Sequence, residues 1–375
     1  MDNNSHTALQ GAEQPGLIAG PCSAETREQV LGSATALQAS LAVERGWFRA
    51  SLWKPRTRPG DFEGVGEIGL DWLAEVKAEL GLKVATEVAH PRHVDLALKH
   101  GIDLLWVGAR TTTSPFLVQE LADALKGVDV AVAVKNPMHA DLMLWAGAVE
   151  RLGGAGLKQL MAIHRGFSVH GQVKYRNPPM WQLAIDFKNL FPDMPLFCDP
   201  SHITGRREGV ADVAQKAMDL GFDGLMVESH LEPEKAWTDA AQQVTPAALE
   251  AILKGLVLRS EGGLHSRNST AQIDRLEAMR SELDLLDDRL IGLLARRMEI
   301  SAGIGAYKRD NEMLILQNER WNQILREHVG KAVDEGLDRG FITGLYKLIH
   351  QASIGIQSEA MATSPDVHNK SQPIR

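Results

Sequence analysis

The sequence predicts an α/β (β/α)8 TIM barrel followed by a small all-α helical domain. Three observations lead there. Eight short apolar runs alternate with helical segments through the first two thirds of the chain, and polar, reactive residues cluster just after those runs. Beyond residue 269 a long stretch without proline carries leucines in steps of three and four.

The predicted strands are Leu17–Ala19, Trp47–Arg49, Lys83–Val88, Leu104–Val107, Val128–Val134, Leu160–Ile163, Leu196–Cys198 and Leu225–Val227. Helical segments follow each in turn: Thr26–Val43, Ile68–Leu80, Pro91–Lys99, Pro115–Leu125, Ala140–Leu152, Met180–Leu190, Val210–Leu220 and Pro246–Leu256. A doubly wound open sheet is the competing architecture. Its glycine-rich dinucleotide turn is missing, because the first strand is followed by Gly20–Pro21–Cys22–Ser23–Ala24–Glu25.

The segment from Arg259 to Ser269 breaks the pattern with Ser, Gly, Asn and His and is read as a linker. In the helix that follows, Leu276, Met279, Leu283, Leu286, Leu290 and Leu293 form a heptad-like seam. At 1.5 Å per residue such a helix spans about 60 Å, far beyond the radius of a compact unit of its size, so it needs a partner. Shorter helices are predicted at Arg320–Val333 and Phe341–Ile356. The resulting division is a barrel at 1–258, a linker at 259–269, a helical domain at 270–357 and a disordered tail at 358–375.

Composition bounds the function. With 375 residues, two domains are the starting expectation, and 44% apolar with 23% charged residues fits a packed globular protein. A formal net charge of −8 gives no generic attraction to nucleic acid or to an anionic membrane. No basic-then-apolar leader and no membrane-length apolar run is present, and the only cysteines are Cys22 and Cys198. A cytoplasmic location is expected, with each cysteine a ligand or a core thiol rather than half of a disulfide.

In a barrel of this kind the active site forms at the C-terminal ends of the strands. Those ends carry Cys22, Lys54–Pro55–Arg56–Thr57, Glu87, Arg110, Lys135, His164–Arg165, Asp199–Ser201–His202 and Glu228–His230. Cys22, His202, Glu228 and Asp239 supply a thiolate, an imidazole and two carboxylates, a set suited to a divalent first-row transition metal. Spacing alone leaves open a buried thiol with scattered acids.

The strand-end motifs Gly20–Pro21–Cys22–Ser23–Ala24–Glu25, Lys54–Pro55–Arg56–Thr57, Gly108–Ala109–Arg110, His164–Arg165–Gly166, Cys198–Asp199–Pro200–Ser201–His202 and Glu228–Ser229–His230 resemble the type I DAHP synthases of the beta group, over about Leu17 to Arg259. The resemblance implies metal ligation by Cys22, His202, Glu228 and Asp239, with one divalent ion per barrel: manganese, iron, cobalt or zinc. It implies phosphoenolpyruvate binding by Arg49, Lys54, Arg110, Lys135 and Arg165, with His164 beside them, and erythrose 4-phosphate binding around Arg56, Thr57 and Ser201. Arginine forks suit the phosphates and carboxylate that would meet there. In the implied condensation the metal polarises the aldehyde oxygen, Lys54 hydrogen-bonds or protonates the developing alkoxide, and Lys135, Arg110 and Glu87 position or activate water. Two departures from the family pattern bear on loop geometry: Asn136–Pro137 after Lys135, and Ala240–Ala241–Gln242 after Asp239, where glycine is usual. The sister family acting on arabinose 5-phosphate is the nearest rival, and Lys54–Pro55–Arg56–Thr57 favours erythrose 4-phosphate.

Extending the leucine seam places Arg297 in an apolar stripe, where a guanidinium is costly unless an anion meets it. Lys308 lies 11 residues on, close to three turns, and so faces the same side. Arg280, 17 residues earlier, points roughly 100° away and would reach such a site only in an antiparallel partner. Leu276–Arg280, Leu283–Asp287, Leu293–Arg297, Lys308, Arg320 and Ser353–Gln357 resemble the all-helical chorismate mutases over roughly Ile273 to Gln357. That resemblance implies a chorismate site made by Arg280 of the second subunit with Arg297, Lys308, Gln317, Arg320, Ser353 and Gln357. Trp321 stands at the family's usual Glu, and Gln317 at a common Asp. Rearrangement to prephenate needs no nucleophile; Lys308 and Gln357 would stabilise charge on the ether oxygen.

The expected whole is a homodimer, joined through its helical domains, that makes DAHP and prephenate in aromatic amino-acid biosynthesis, with prephenate or chorismate restraining the barrel. The competing view makes the helical domain chiefly a dimerising regulatory sensor with weak mutase activity. A binding-only barrel would leave the metal set and anion clamps without purpose.

Overall fold

The computed structural model describes residues 15–40, 46–56, 58–171, 174–259 and 270–362. The described residues form two compact units, parted within residues 260–269.

In the first unit, eight parallel strands close into a barrel in sequence order: β1 (Gly16–Gly20), β2 (Gly46–Arg49), β3 (Val84–Val88), β4 (Leu104–Val107), β5 (Ala131–Lys135), β6 (Leu160–His164), β7 (Leu196–Cys198) and β8 (Gly224–Glu228). Closure is made by β1 against β8, paired from Gly16↔Gly224 to Gly20↔Glu228. The helices of this unit are α1 (Arg27–Ser40), α2 (Ile68–Leu80), α3 (Pro91–Lys99), α4 (Ala109–Thr112), α5 (Pro115–Ala124), α6 (Leu142–Gly154), α7 (Trp181–Leu190), α8 (Pro200–Thr204), α9 (Val210–Asp219) and α10 (Pro246–Gly255). Many of their starts are written locally. Proline, whose missing N–H costs nothing in the first turn, opens α3, α5, α8 and α10. Ser114, Asp141 and Thr245 accept the backbone N–H groups of Leu117, Leu144 and Ala248 and so cap α5, α6 and α10.

Two apolar layers hold the barrel. Ile18, Ala85, Leu104, Trp106, Ala131, Ala133, Met161, Ile163, Phe197 and Met226 fill its interior. Their strand neighbours, such as Leu105, Val132, Ala162 and Leu225, face outward into the larger cluster shared with the helices. This alternation positions the chemistry, because side chains two residues on return to the same face. Two residues beyond Trp47, Ala85, Ala133, Ile163, Phe197 and Met226 stand Arg49, Glu87, Lys135, Arg165, Asp199 and Glu228. Two beyond Ile18 and Trp106 stand Gly20 and Gly108.

The sequence reading placed all eight strands and misjudged mainly their ends. The fifth strand begins at Ala131 rather than Val128. The short helices α4 and α8, which carry Arg110 and His202, were not anticipated, because a single turn leaves no periodicity to detect.

The second unit contains α11 (Thr270–Asp310), α12 (Asn318–Asp334) and α13 (Arg339–Ala362). α13 packs along α11 and against α12. It continues five residues past the expected end at 357, so the first residues of the expected tail are helical; residues 363–375 and most of the expected linker lie outside the described residues. The leucine seam of α11 stays open within this chain, with Leu283 60% and Leu293 69% exposed. No described helix is long and apolar enough to cross a membrane.

Candidate functional site

Cys22, Glu228 and Asp239 bring one ligand atom each to within 4.8 Å of one another. Cys22 follows β1, Glu228 ends β8, and Asp239 comes from the loop after β8, so closure of the barrel joins residues more than 200 positions apart. Asp239 holds a left-handed backbone, with φ 49° and ψ 34°. The Cys22 thiol lies 3.4 Å from Asp239 Oδ2. Lys54 Nζ donates to the same sulfur at 2.5 Å and to the Cys22 carbonyl at 3.3 Å, and Arg49 donates to that carbonyl at 3.0 Å. His202, on α8, stands outside the tight trio, with Nε2 3.7 Å from Glu228 Oε1. Its Nδ1 is 2.7 Å from Asp199 Oδ2, and the other Asp199 oxygen accepts the His202 N–H at 3.0 Å. Asp199 also takes Lys135 Nζ at 2.7 Å.

These contacts set the charges. Burial, reinforced by Glu228, pushes the Cys22 thiol up to about 12, against the pull of Lys54. Burial opposes ionisation of Glu228, Asp239 and Asp199, yet each is held below its ordinary value. His202 and Arg49 do this for Glu228, His202 and Arg176 for Asp239, and His202 and Lys135 for Asp199. Lys54 is raised although burial opposes it, because Cys22 and Glu228 favour its charged form. One buried and one partly buried carboxylate, a thiol and an imidazole edge are the donors a divalent transition ion takes, and such an ion would offset the burial and the negative field that raise Cys22. Glu228 Oε1 is buried without a hydrogen-bond partner, which also fits a ligand atom. The residues present therefore fit a divalent metal.

An anion-binding region completes the mouth. Arg49 is 1% exposed and lies 4.8 Å over the Trp106 ring. Arg165 is lowered to about 10 by burial, against Asp199 and with Arg176 and Arg110 pressing on it. Such a group is relieved by an incoming anion. Arg110 is exposed on α4, and Arg56 is 3.5 Å from Asp61. Glu87 accepts from Trp106 Nε1 at 3.1 Å. It has room because Gly108 faces it: a Cβ at 108 would stand 2.1 Å from Glu87 Oε1. The departure at Asn136 proves to be scaffolding. Its side chain donates to the Pro137 and Gly166 carbonyls and accepts the Arg165 N–H at 2.7 Å, locking two strand ends together.

Three expectations fare differently. His164 is turned out of the barrel, in phase with Leu160 and Ala162, and is packed among Trp145, Phe167, Trp181 and Phe222. The period-two alternation that brings Arg165 inward sends His164 to the helix layer, so it does not share the mouth with Arg165. Ser201 is fully buried, and its hydroxyl accepts the Glu228 N–H at 3.0 Å, which anchors the end of β8. Thr57 lies outside the described residues.

In the second unit Arg297 donates to Ser353 Oγ, and the buried Lys308 donates to Gln357 Oε1 at 3.1 Å and to the Ile315 carbonyl. These four expected residues meet between α11 and α13. Arg320 is exposed and bonded to Gln323, Gln317 is exposed at the start of α12, and Arg280 is exposed and paired with Glu277. Trp321 stacks on His350, with centroids 3.8 Å apart and planes 15° off parallel. Burial, then Arg297 and Lys308, lower His350 from its ordinary value.

Sequence reasoning missed Asp199 as a partner, although its period-two phase with Phe197 was legible. Asn136 and Gln242 stood out only as departures from the family pattern, and Arg176, Gln243 and His350 gave no signal.

Comparison with known proteins agrees with this fold. Residues 2–259 match the DAHP synthetase I family, and residues 279–358 match chorismate mutase type II. A phospho-2-dehydro-3-deoxyheptonate aldolase of Thermotoga maritima is 30% identical over 228 residues, which are 61% of this chain and 64% of that protein. The chain therefore spans just under two thirds of that relative's length. A 2-dehydro-3-deoxyphosphooctonate aldolase of Wolinella succinogenes is 27% identical over 65% of this chain and 99% of its own. The crystal structure of a Thermotoga maritima DAHP synthase superposes with a TM-score of 0.57 at 27% identity, covering 64% of this chain and 68% of that one.

Proposed function

Since this chain belongs to the DAHP synthetase I family and joins that region to a chorismate mutase type II region, we propose that it is a bifunctional enzyme of the shikimate pathway. The barrel condenses phosphoenolpyruvate with erythrose 4-phosphate to give DAHP and phosphate. The helical unit rearranges chorismate to prephenate. The observation that carries the barrel assignment is Lys54 Nζ set 2.5 Å from the sulfur of the Cys22, Glu228 and Asp239 trio.

Cys22, Glu228, Asp239 and His202 would hold one divalent ion, which when bound would supply Lewis-acid polarisation of the aldehyde. Arg165, Arg110 and Arg49 bind phosphoenolpyruvate through its anionic groups, and Arg56 takes the second phosphate. As carbon 3 bonds to the aldehyde carbon, the ammonium of Lys54 gives its proton to the new alkoxide. Glu87 and Lys135 orient the water whose oxygen bonds to carbon 2, after which phosphate leaves. In the helical unit Arg297 binds a carboxylate, while Lys308 and Gln357 hold the ether oxygen as charge builds there.

The open seam of α11 supports a homodimer through the helical units, in which Arg280 serves the second subunit's site. Prephenate or chorismate bound there restrains the barrel, and by reciprocity barrel ligands alter the mutase. The relatives named for phosphooctonate chemistry favour a second reading, condensation with arabinose 5-phosphate.

The test is initial condensation with either sugar phosphate, with and without EDTA, across a prephenate titration. Metal-dependent turnover with erythrose 4-phosphate that prephenate suppresses supports the full reading. Preference for arabinose 5-phosphate selects the rival, and indifference to prephenate leaves an independent mutase. No turnover with any divalent metal overturns the barrel assignment.

A further inference from the structure

Cys22, Glu228 and Asp239 each have one atom held by a neighbour, respectively Gln243, Gln242 and Arg176. Gln242 and Gln243, 1% and 0% exposed, are adjacent in sequence and work in different directions. Gln242 Nε2 donates to Glu228 Oε2 at 2.7 Å. Gln243 Oε1 accepts the Cys22 N–H at 3.0 Å, while its Nε2 donates to the Thr238 carbonyl at 2.8 Å. Arg176 Nη1 joins the set by donating at 2.9 Å both to Gln242 Oε1 and to Asp239 Oδ1.

Arg176 is itself tied to the helix that carries His202. Its N–H donates to the Thr204 carbonyl at 3.3 Å, and the next residue, Asn177, donates to the carbonyls of Ile203 and His202. Its stem lies where a side chain at Gly205 would be. A Cβ there would stand 2.5 Å from Arg176 Cβ, and Gly205 also holds a left-handed φ of 67°. One short segment of the loop after β6 thus reaches α8 by its backbone and the β8 loop by its guanidinium.

We propose that Gln242 and Arg176 are positioning residues that each occupy one oxygen of a ligand carboxylate and so enforce single-atom coordination, while Gln243 fixes the backbone at Cys22 and Thr238. The atoms left over are Glu228 Oε1, which is buried without a hydrogen bond, and Asp239 Oδ2, which is 3.4 Å from the Cys22 sulfur. Asp199 does the same for His202 by standing against Nδ1 and leaving Nε2. Single-atom donors give a compact, low-coordinate set suited to small transition ions. Calcium takes six to eight oxygens and accepts two-oxygen carboxylates, and this set disfavours it. Selectivity against large hard cations therefore resides in a layer that touches no metal. The inference rests on the metal-binding reading of the trio.

The test uses the full chain, stripped with chelator, and measures manganese(II) and calcium(II) affinity by titration calorimetry. The visible spectrum of the cobalt(II) form reports coordination. Gln242→Met and Arg176→Met are each expected to weaken manganese binding by about 10- to 100-fold. Calcium binding should fall less, so the manganese-to-calcium preference narrows. The cobalt d–d bands should lose intensity as a freed carboxylate oxygen raises the coordination number. Arg176→Lys, which keeps one charged donor, should recover part of each effect. Arg176 has a half-exposed side chain, so its variants remain informative should the buried Gln242 variant fail to fold. Unchanged affinities and spectra overturn the inference, as does weakened binding with an unaltered preference and spectrum, which would be loosening alone. If the unsubstituted chain takes up no manganese or cobalt, the metal reading itself falls.

Discussion

Asp199 Oδ2 lies 2.7 Å from His202 Nδ1 and 2.7 Å from Lys135 Nζ, so one buried carboxylate orients a candidate metal ligand and a candidate catalytic cation together. A second partner that fixes the ring of a ligating histidine governs its tautomer and direction. Asp199→Asn keeps the shape and removes the charge. It is expected to weaken metal binding by about 10- to 100-fold, and to leave Lys135 without its counter-ion. A binding isotherm unchanged from that of the native chain would contradict the assignment.

Lys54 contacts the Cys22 sulfur but is not a ligand, which separates its role from that of the metal. Lys54→Met should lower the condensation rate by about 10²- to 10⁴-fold, the range for a positioned proton donor. Metal uptake should persist. Cys22→Ala should instead abolish turnover with every divalent ion added back. Equal losses of metal in both variants would merge the two roles.

His164 gives a pH signature of stability. Burial in its aromatic surroundings, reinforced by Arg165, lowers it to about 3 from an ordinary 6.5. Above pH 6.5 the ring is neutral folded or unfolded and imposes no penalty. Between pH 6.5 and 3 the unfolded chain binds a proton that the folded chain refuses, so stability falls as pH falls. Over the whole window the loss amounts to a few kcal/mol. Urea titrations at pH 7 and pH 5 should show less acid destabilisation in His164→Leu than in the native chain, and parallel losses in both would remove His164 as the cause.

The open seam of α11 predicts its own test. A charge at Leu290, as in Leu290→Asp, should shift the sedimenting species to monomer. Mutase activity should drop together with that of Arg280→Ala, since both deny the site its second-subunit arginine. A native chain that sediments as a monomer with full mutase activity would exclude the shared site.

The sequence by itself determined the barrel, its strand order and the helical appendage, because these follow from local periodicity and from proline and capping residues that act within one turn. It also determined which face Arg49, Glu87, Lys135, Arg165 and Glu228 occupy, since a strand alternates strictly. The same rule, applied to His164, would have turned that residue away from the mouth; motif adjacency to Arg165 obscured it. What only the tertiary structure decided is which atoms meet. Asp199 on His202, Arg176 across to Asp239 and Gln242 on Glu228 join residues separated by up to 63 positions. Closing the barrel fixes such distances, whereas loop sequence carries no period to reveal them. Trp321 on His350 is of the same kind, a contact between two helices whose register is set by packing rather than by either helix alone.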